Sequence, residues 1–232
     1  MPPPSHQIPH RQIRAHQTPS TITLYQAYNI AIATAAVTHQ RLDASPKFST
    51  TRMTWIKPSW AWMLYRSGYS YKDRGQERIL ALSIRKETFI DLLRKSVLAS
   101  SSHGGEKSSS QPSLSDSSGK VEQEQEGDRD QGERAAHVRV QWDPERTVRL
   151  ERLAYRSIQI GVPGALLQQF MEGIVEIEDV TERARALKKM LDEEPQDELD
   201  MMELVARGLV PEEREFEVDI ELRKTLNMDE VA

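Results

Sequence analysis

The sequence predicts an α+β fold, a single compact domain whose mixed or antiparallel sheet is flanked by short helices and interrupted by a disordered Ser/Glu-rich insertion. Three observations carry this reading. Period-two or continuous apolar runs mark strands at residues 52–57, 78–84, 138–142 and 156–160. Helical spacing and end signals mark short helices at 59–66, 87–98, 165–175 and 181–191. The two kinds follow one another in no strict alternation, which favours α+β over a doubly wound sheet. The 232 residues suffice for one domain with appendages.

Residues 1–10 are Pro-rich and are expected to be disordered. A basic strand-like piece follows at 11–15, and Pro19 and Ser20 break the chain. Ile22, Leu24 and Tyr25 predict a strand that runs into an alanine-rich helix over 26–37. In 52–57, Arg52 and Thr54 share a face with Ile56, and Met53, Trp55 and Lys57 share the other. Pro58 suits a first helical turn and Gly68 a C-terminal cap, so a short helix should lie between them. Residues 78–84 read as a buried strand, and apolar positions 89, 90, 92, 93, 97 and 98 extend one helix to the end of that block.

Residues 99–136 hold ten serines and almost no large apolar side chain, so burial cannot offset their chain entropy. They are read as an insertion, with 11–98 and 137–191 forming one domain. In 138–142, strict alternation turns Val138, Val140 and Trp142 inward, and Asp143-Pro144-Glu145 reads as a turn or helix start. Gly161 and Pro163 end the next strand, and Thr181 caps the last helix. Residues 192–232 read as an acidic C-terminal extension with an edge strand where Phe216, Val218, Ile220 and Leu222 alternate with polar residues.

Cysteine is absent, which excludes disulfides, a thiol nucleophile and Cys-ligated zinc. None of the six histidines forms a His-x-x-x-His pair on a predicted helix, so no metal site is expected. Nucleophile-elbow, Walker A and G-x-G-x-x-G patterns are also missing. With no long apolar span and no signal-peptide layout, the chain is expected to be cytoplasmic and not membrane-bound, with a nuclear location left open. The net charge of −5 conceals an asymmetry: residues 1–98 carry 14 Lys+Arg against 5 Asp+Glu, and residues 171–232 carry 8 against 20. An anionic ligand suits the basic half, and charge neutralisation within the fold is the competing reading. Overall acidity disfavours nucleic acid.

Polar groups on predicted strands are the candidate site. Arg14, Arg52, Thr54, Lys57, Ser157 and Gln159 would line one cleft if their strands were neighbours, because buried strands rarely carry such groups without a purpose or a partner. Guanidinium groups take phosphates in bidentate fashion, and Lys57 would add a point charge. Trp55, Trp60, Trp62 and Tyr65 would stack a base or build core. Asp143, Glu145, Glu178 and Asp179 are candidate acids or bases, or turn and cap residues.

The segments Ile13-Arg-Ala, Tyr25-Gln-Ala-Tyr, Arg52-Met-Thr-Trp-Ile-Lys-Pro-Ser, Met63-Leu-Tyr-Arg-Ser-Gly, Val140-Gln-Trp-Asp-Pro-Glu-Arg and Arg156-Ser-Ile-Gln-Ile-Gly resemble a domain-of-unknown-function family of bacteria and fungi. The resemblance spans about residues 11–191 outside the insertion. In order of elements the chain is also similar to ADP-ribosyltransferase-like domains. That likeness implies that Arg14 supports a dinucleotide, that residues 49–54 supply hydroxyl groups, and that Gln159 stands where a late strand usually carries the catalytic glutamate. The expectation is a cationic cleft binding a nucleotide-like ligand, with NAD as cofactor. Arg14 and Arg52 would hold its phosphates, and Lys57 and Ser157 would help bind it. Thr54 would orient the sugar, Gln159 would sit near the reacting carbon, and Glu145 or Glu178 would supply the carboxylate for group transfer. The alternative is a non-catalytic ligand- or protein-binding module whose acidic tail and Ser-rich loop engage a protein partner.

Overall fold

The computed structural model describes residues 8–98, 137–193 and 200–229. The domain is α+β and compact, with three sheets and seven α-helices among the described residues. The Ser/Glu-rich segment 99–136 and residues 1–7 lie outside the described residues, so the expectations for them do too.

Strand β2 (Thr21–Tyr28) pairs antiparallel with β4 (Arg78–Arg85), which pairs antiparallel with β8 (Ile174–Asp179). Both faces of β2 and β4 are covered. Ile22, Leu24, Leu80, Leu82 and Ile84 enter the larger core, and Tyr25, Ile79 and Ala81 enter a second core with Trp60, Leu64 and Leu187. This double burial explains the unbroken apolar run. A four-stranded sheet runs β3 (Thr54–Ile56), β7 (Arg152–Val162), β6 (Val138–Arg146), β5 (Ser96–Leu98). Its pairs are antiparallel except β5–β6, so the sheet is mixed. Tyr25 and Lys57 exchange backbone hydrogen bonds of 2.8 and 3.4 Å, joining β2 to the end of β3. Ile56, Val138, Val140, Ile158, Ile160 and Val162 carry one face of this sheet into the larger core.

Helix α1 (Ile30–His39) starts at Asn29, whose side chain accepts from Ile32 N, so the predicted strand reaches Tyr28 before the helix begins. At its other end Gln40 adopts φ 52°, and its amide pairs with the Ile177 backbone at 2.8 and 3.0 Å. Helix α2 (Trp60–Ser67) is closed by Gly68 at φ 56°, as the sequence predicts, but it begins after Ser59, whose side chain accepts from Trp62 N, so Pro58 precedes the helix and does not open its first turn. Helix α3 (Lys86–Arg94) is shorter than predicted, because the chain turns at Lys95 into β5. Helices α4 (Gly164–Gly173) and α5 (Thr181–Glu193) lie close to their predicted positions.

Two expectations need correction. Asp143-Pro144-Glu145 is the continuation of β6, not a turn. A register shift between Pro144 and Arg146 absorbs the proline, and β6 has lost its β5 neighbour there. Residues 216–222 do not form an edge strand: β9 (Arg214–Glu215) precedes them, and helix α7 (Ile220–Thr225) is capped by Asp219, which accepts from Leu222 N at 2.8 Å.

The acidic composition of 192–232 suggests a separate extension, whereas residues 200–229 are built into the same body. Strand β9 pairs with β1 (Arg14–Ala15), and Leu204, on α6 (Met201–Ala206), enters the second core. Phe216 meets Phe89 edge-on at 5.2 Å, and Leu222 and Leu226 complete the larger core. Apolar residues spaced among the acids carry this packing, and most of the acids remain on the outside.

Candidate functional site

The second face of the four-stranded sheet is polar, and its register sets a grid. Trp55 stands opposite Gly161, which stands opposite Arg139; Gln159 faces Gln141; and Ser157 faces Asp143. Lys57 follows β3 on this same face. A cleft of about 890 Å³ opens over the grid. Its floor includes Trp55, Lys57, Gln141, Asp143 and Gln159. Its walls come from β2, from α2, and from the loop before β3 that carries Lys47, Phe48 and Arg52.

Two glycines shape that loop. A Cβ at Gly161 would lie 2.6 Å from Met53 Sδ and 3.0 Å from the Trp55 indole, and one at Gly164 would lie 2.7 Å from Thr50 O. Only the missing side chains let residues 50–55 lie against the sheet.

The buried cation Lys57 organises the floor. It is 1 % exposed, and its Nζ donates to Asp143 Oδ2 at 3.1 Å, with Ser157 O at 3.5 Å. The Trp62 ring covers it at 3.9 Å. Desolvation pulls the ammonium down to about 8, against the opposing attraction of Asp143 and Glu145. Arg146 is held in a similar way, 3.9 Å over the Tyr65 ring with Nη1 donating to Leu150 O. Arg52 and Arg66 are different. Both line the cleft and are exposed, and neither has an ion pair or side-chain hydrogen bond among the described residues.

Of the residues given ligand-binding or catalytic roles from the sequence, Arg52, Thr54, Lys57 and Gln159 line the cleft. Ser157 lies beneath Lys57, buried, with its hydroxyl unpartnered among the described residues. Arg14 and Glu145 do not line the cleft. Arg14 donates to Gln12 Oε1 and Glu213 O from β1. Glu145 is buried and accepts from Ser59 Oγ and Arg146 N, both at 2.8 Å. The other candidate acids, Glu178 and Asp179, sit on β8 and are not cleft-lining. Behind α2, Glu213 accepts from Trp60 N at 2.7 Å. The residue as a whole is half-covered, but its carboxylate lies in the interior, and burial and the nearby Glu145 push it up to about 8.

Gln141 and Arg146 were not among the residues expected from sequence, and Asp143 was expected as an acid or base or as a turn residue, not as part of the cleft floor. The signal for Gln141 and Asp143 was present: carrying the Val138–Trp142 alternation further puts both on the face opposite the core.

Among the described residues there is no group of three or more His, Cys, Asp or Glu placed to hold a metal ion, and no helix is long and apolar enough to cross a membrane. The model of one family, described as a domain of unknown function (DUF4291), matches residues 12–216. The match takes in every cleft-lining residue and reaches through β9. No curated protein matches the chain.

Proposed function

The chain belongs to the DUF4291 family, and we propose that its cleft binds a nucleotide-like anionic ligand, with NAD the preferred candidate, and transfers a group from it. The observation that carries this reading is the pair Arg52 and Arg66, two exposed guanidinium groups at the cleft without a carboxylate partner among the described residues. Structural arginines normally have such partners, and bidentate phosphate recognition needs a free fork. Lys47 adds positive charge on the same wall. Tyr28, Phe48 and Trp55 offer apolar surface to a base, and Thr54 and Gln159 offer hydrogen bonds to a sugar. The volume of about 890 Å³ suits a dinucleotide.

The test is thermal unfolding of the full chain with NAD, ADP-ribose or ATP, repeated on Arg52→Ala. A ligand at about 100 times its Kd stabilises by ~2.7 kcal/mol, which moves Tm by ~5–10 °C at this chain length. A shift with NAD or ADP-ribose that shrinks in Arg52→Ala is expected. No shift with any nucleotide, from a folded protein, would overturn the reading and favour a protein-binding module.

A further inference from the structure

Group transfer from a nucleotide through its sugar carbon needs a negative charge beside that carbon. As the C1′–N bond breaks, positive charge spreads over C1′ and the ring oxygen, and an ionised carboxylate held close stabilises it. Glu145, one of the two acids expected from the sequence to supply that charge, is buried away from the cleft and committed to Ser59 and Arg146. Asp73 lies on an exposed loop and uses its oxygens on Gly75 N and Gln76 Nε2. Asp143 is different. It stands on the floor beside Gln141 and Gln159, 29 % exposed, with Oδ2 fixed by Lys57 and Oδ1 without a hydrogen-bond partner among the described residues.

We propose that Asp143 is the catalytic carboxylate of this cleft, positioned by Lys57, and that the reaction it serves is cleavage of the N-glycosidic bond of a bound nucleotide. This rests on the nucleotide reading of the cleft. The C1′–N bond breaks with its electron pair leaving on the base. Asp143 faces the oxocarbenium ion, a water adds to C1′, and its proton passes to Asp143 and on to solvent. With NAD the products are nicotinamide, ADP-ribose and a proton, so the cationic base departs neutral and needs no acid.

The geometry favours this over attack by Lys57 itself. Lys57 Nζ is enclosed by Asp143, the Ser157 carbonyl and the Trp62 ring, so it has no open approach to a ligand atom. It also favours a sugar carbon over a phosphorus centre as the reacting atom, because a carboxylate repels a phosphoryl group. The free cations Arg52 and Arg66, not the floor, suit the phosphates.

The experiment measures nicotinamide release from NAD by the full chain, alongside the thermal shift that reports binding. Wild type should release nicotinamide. Asp143→Asn should keep the NAD-induced shift and lose at least ~100-fold in rate. Lys57→Met retains the packed stem without the charge, and should lower kcat about tenfold with KM within about twofold, a split that mere loosening of the fold would not give. If Asp143→Asn folds poorly because Lys57 is left unpaired, the double variant Lys57→Met/Asp143→Asn removes both charges and serves in its place. Bound NAD without release, or undiminished release by the Asp143 variants, overturns the assignment while the binding reading stands. No nucleotide-induced shift in wild type overturns both.

Discussion

Glu213→Gln keeps an acceptor for Trp60 N–H and removes a charge that the interior disfavours. The native carboxyl is raised to about 8 from an ordinary 4.5, first by burial and then by Glu145, with Trp60 N–H and Arg14 pulling the other way. The unfolded chain therefore gives up this proton first, and stability falls as pH rises from 4.5 towards 8. The full interval sets a ceiling of ~5 kcal/mol above pH 8, and of ~3 kcal/mol at pH 7. Solvent reaches part of Glu213, and screening lowers these figures, so the gain expected for Glu213→Gln near pH 7.5 is ~1–3 kcal/mol. At this chain length that is a rise in Tm of ~3–10 °C. Near pH 4.5 the wild-type carboxyl is protonated in the native state and the gain should vanish. Lys57, lowered to about 8, opposes this trend only above pH 8, where stability recovers as the unfolded ammonium also loses its proton. Calorimetric melts of both proteins between about pH 4.5 and 8 decide the matter. An equal gain at both ends, or a loss at the upper end, would refute the buried-carboxylate reasoning.

Gly161→Ala drives a methyl group against Met53 Sδ and the Trp55 ring; melts should show a loss of ~1–3 kcal/mol, and nucleotide affinity should fall with it. Phe216→Ala empties a site packed edge-on to Phe89 in the larger core, and denaturant unfolding should register a loss of ~3–5 kcal/mol, far more than a detachable tail would give. Ser59→Ala removes both the α2 cap and the hydroxyl donor to Glu145; a loss of ~1–2 kcal/mol is expected in the same assay.

Particular residues show how much could be read from the chain. The run Arg78–Ile84 announced a buried strand because both faces of β4 are covered, and Gly68 announced the end of α2 because such caps are local chemistry, whereas Pro58 placed the start of that helix too early, ahead of the Ser59 cap. The helix–strand switch at Lys95 was hidden, since Val97 and Leu98 fit a helical stripe as well as a strand. The role of residues 200–229 was hidden by charge. Burial of Leu204, Phe216, Leu222 and Leu226 decides their placement, and most of the acids between them only face solvent. At the cleft, alternation along the strands places Lys57 and Gln159 on the polar face, whereas Arg52 and Thr54 alternate with the core residue Ile56 and reach the cleft because β3 starts only at Thr54 and the loop before it folds over the sheet. Arg14 and Glu145 were misplaced because pairing decides which strands are neighbours. Strand β1 pairs with β9, and Glu145 falls at the bulge beyond Pro144. Neither pairing has a signature in local sequence.

The most direct measurement is calorimetric titration of the full chain with ADP-ribose, in parallel with Arg52→Ala/Arg66→Ala. The cleft account predicts saturable one-to-one binding that weakens by at least ~100-fold in the double variant, since each charge-assisted contact contributes ~1.5–3 kcal/mol. Absence of binding by folded wild type, or unchanged affinity in the double variant, would contradict it.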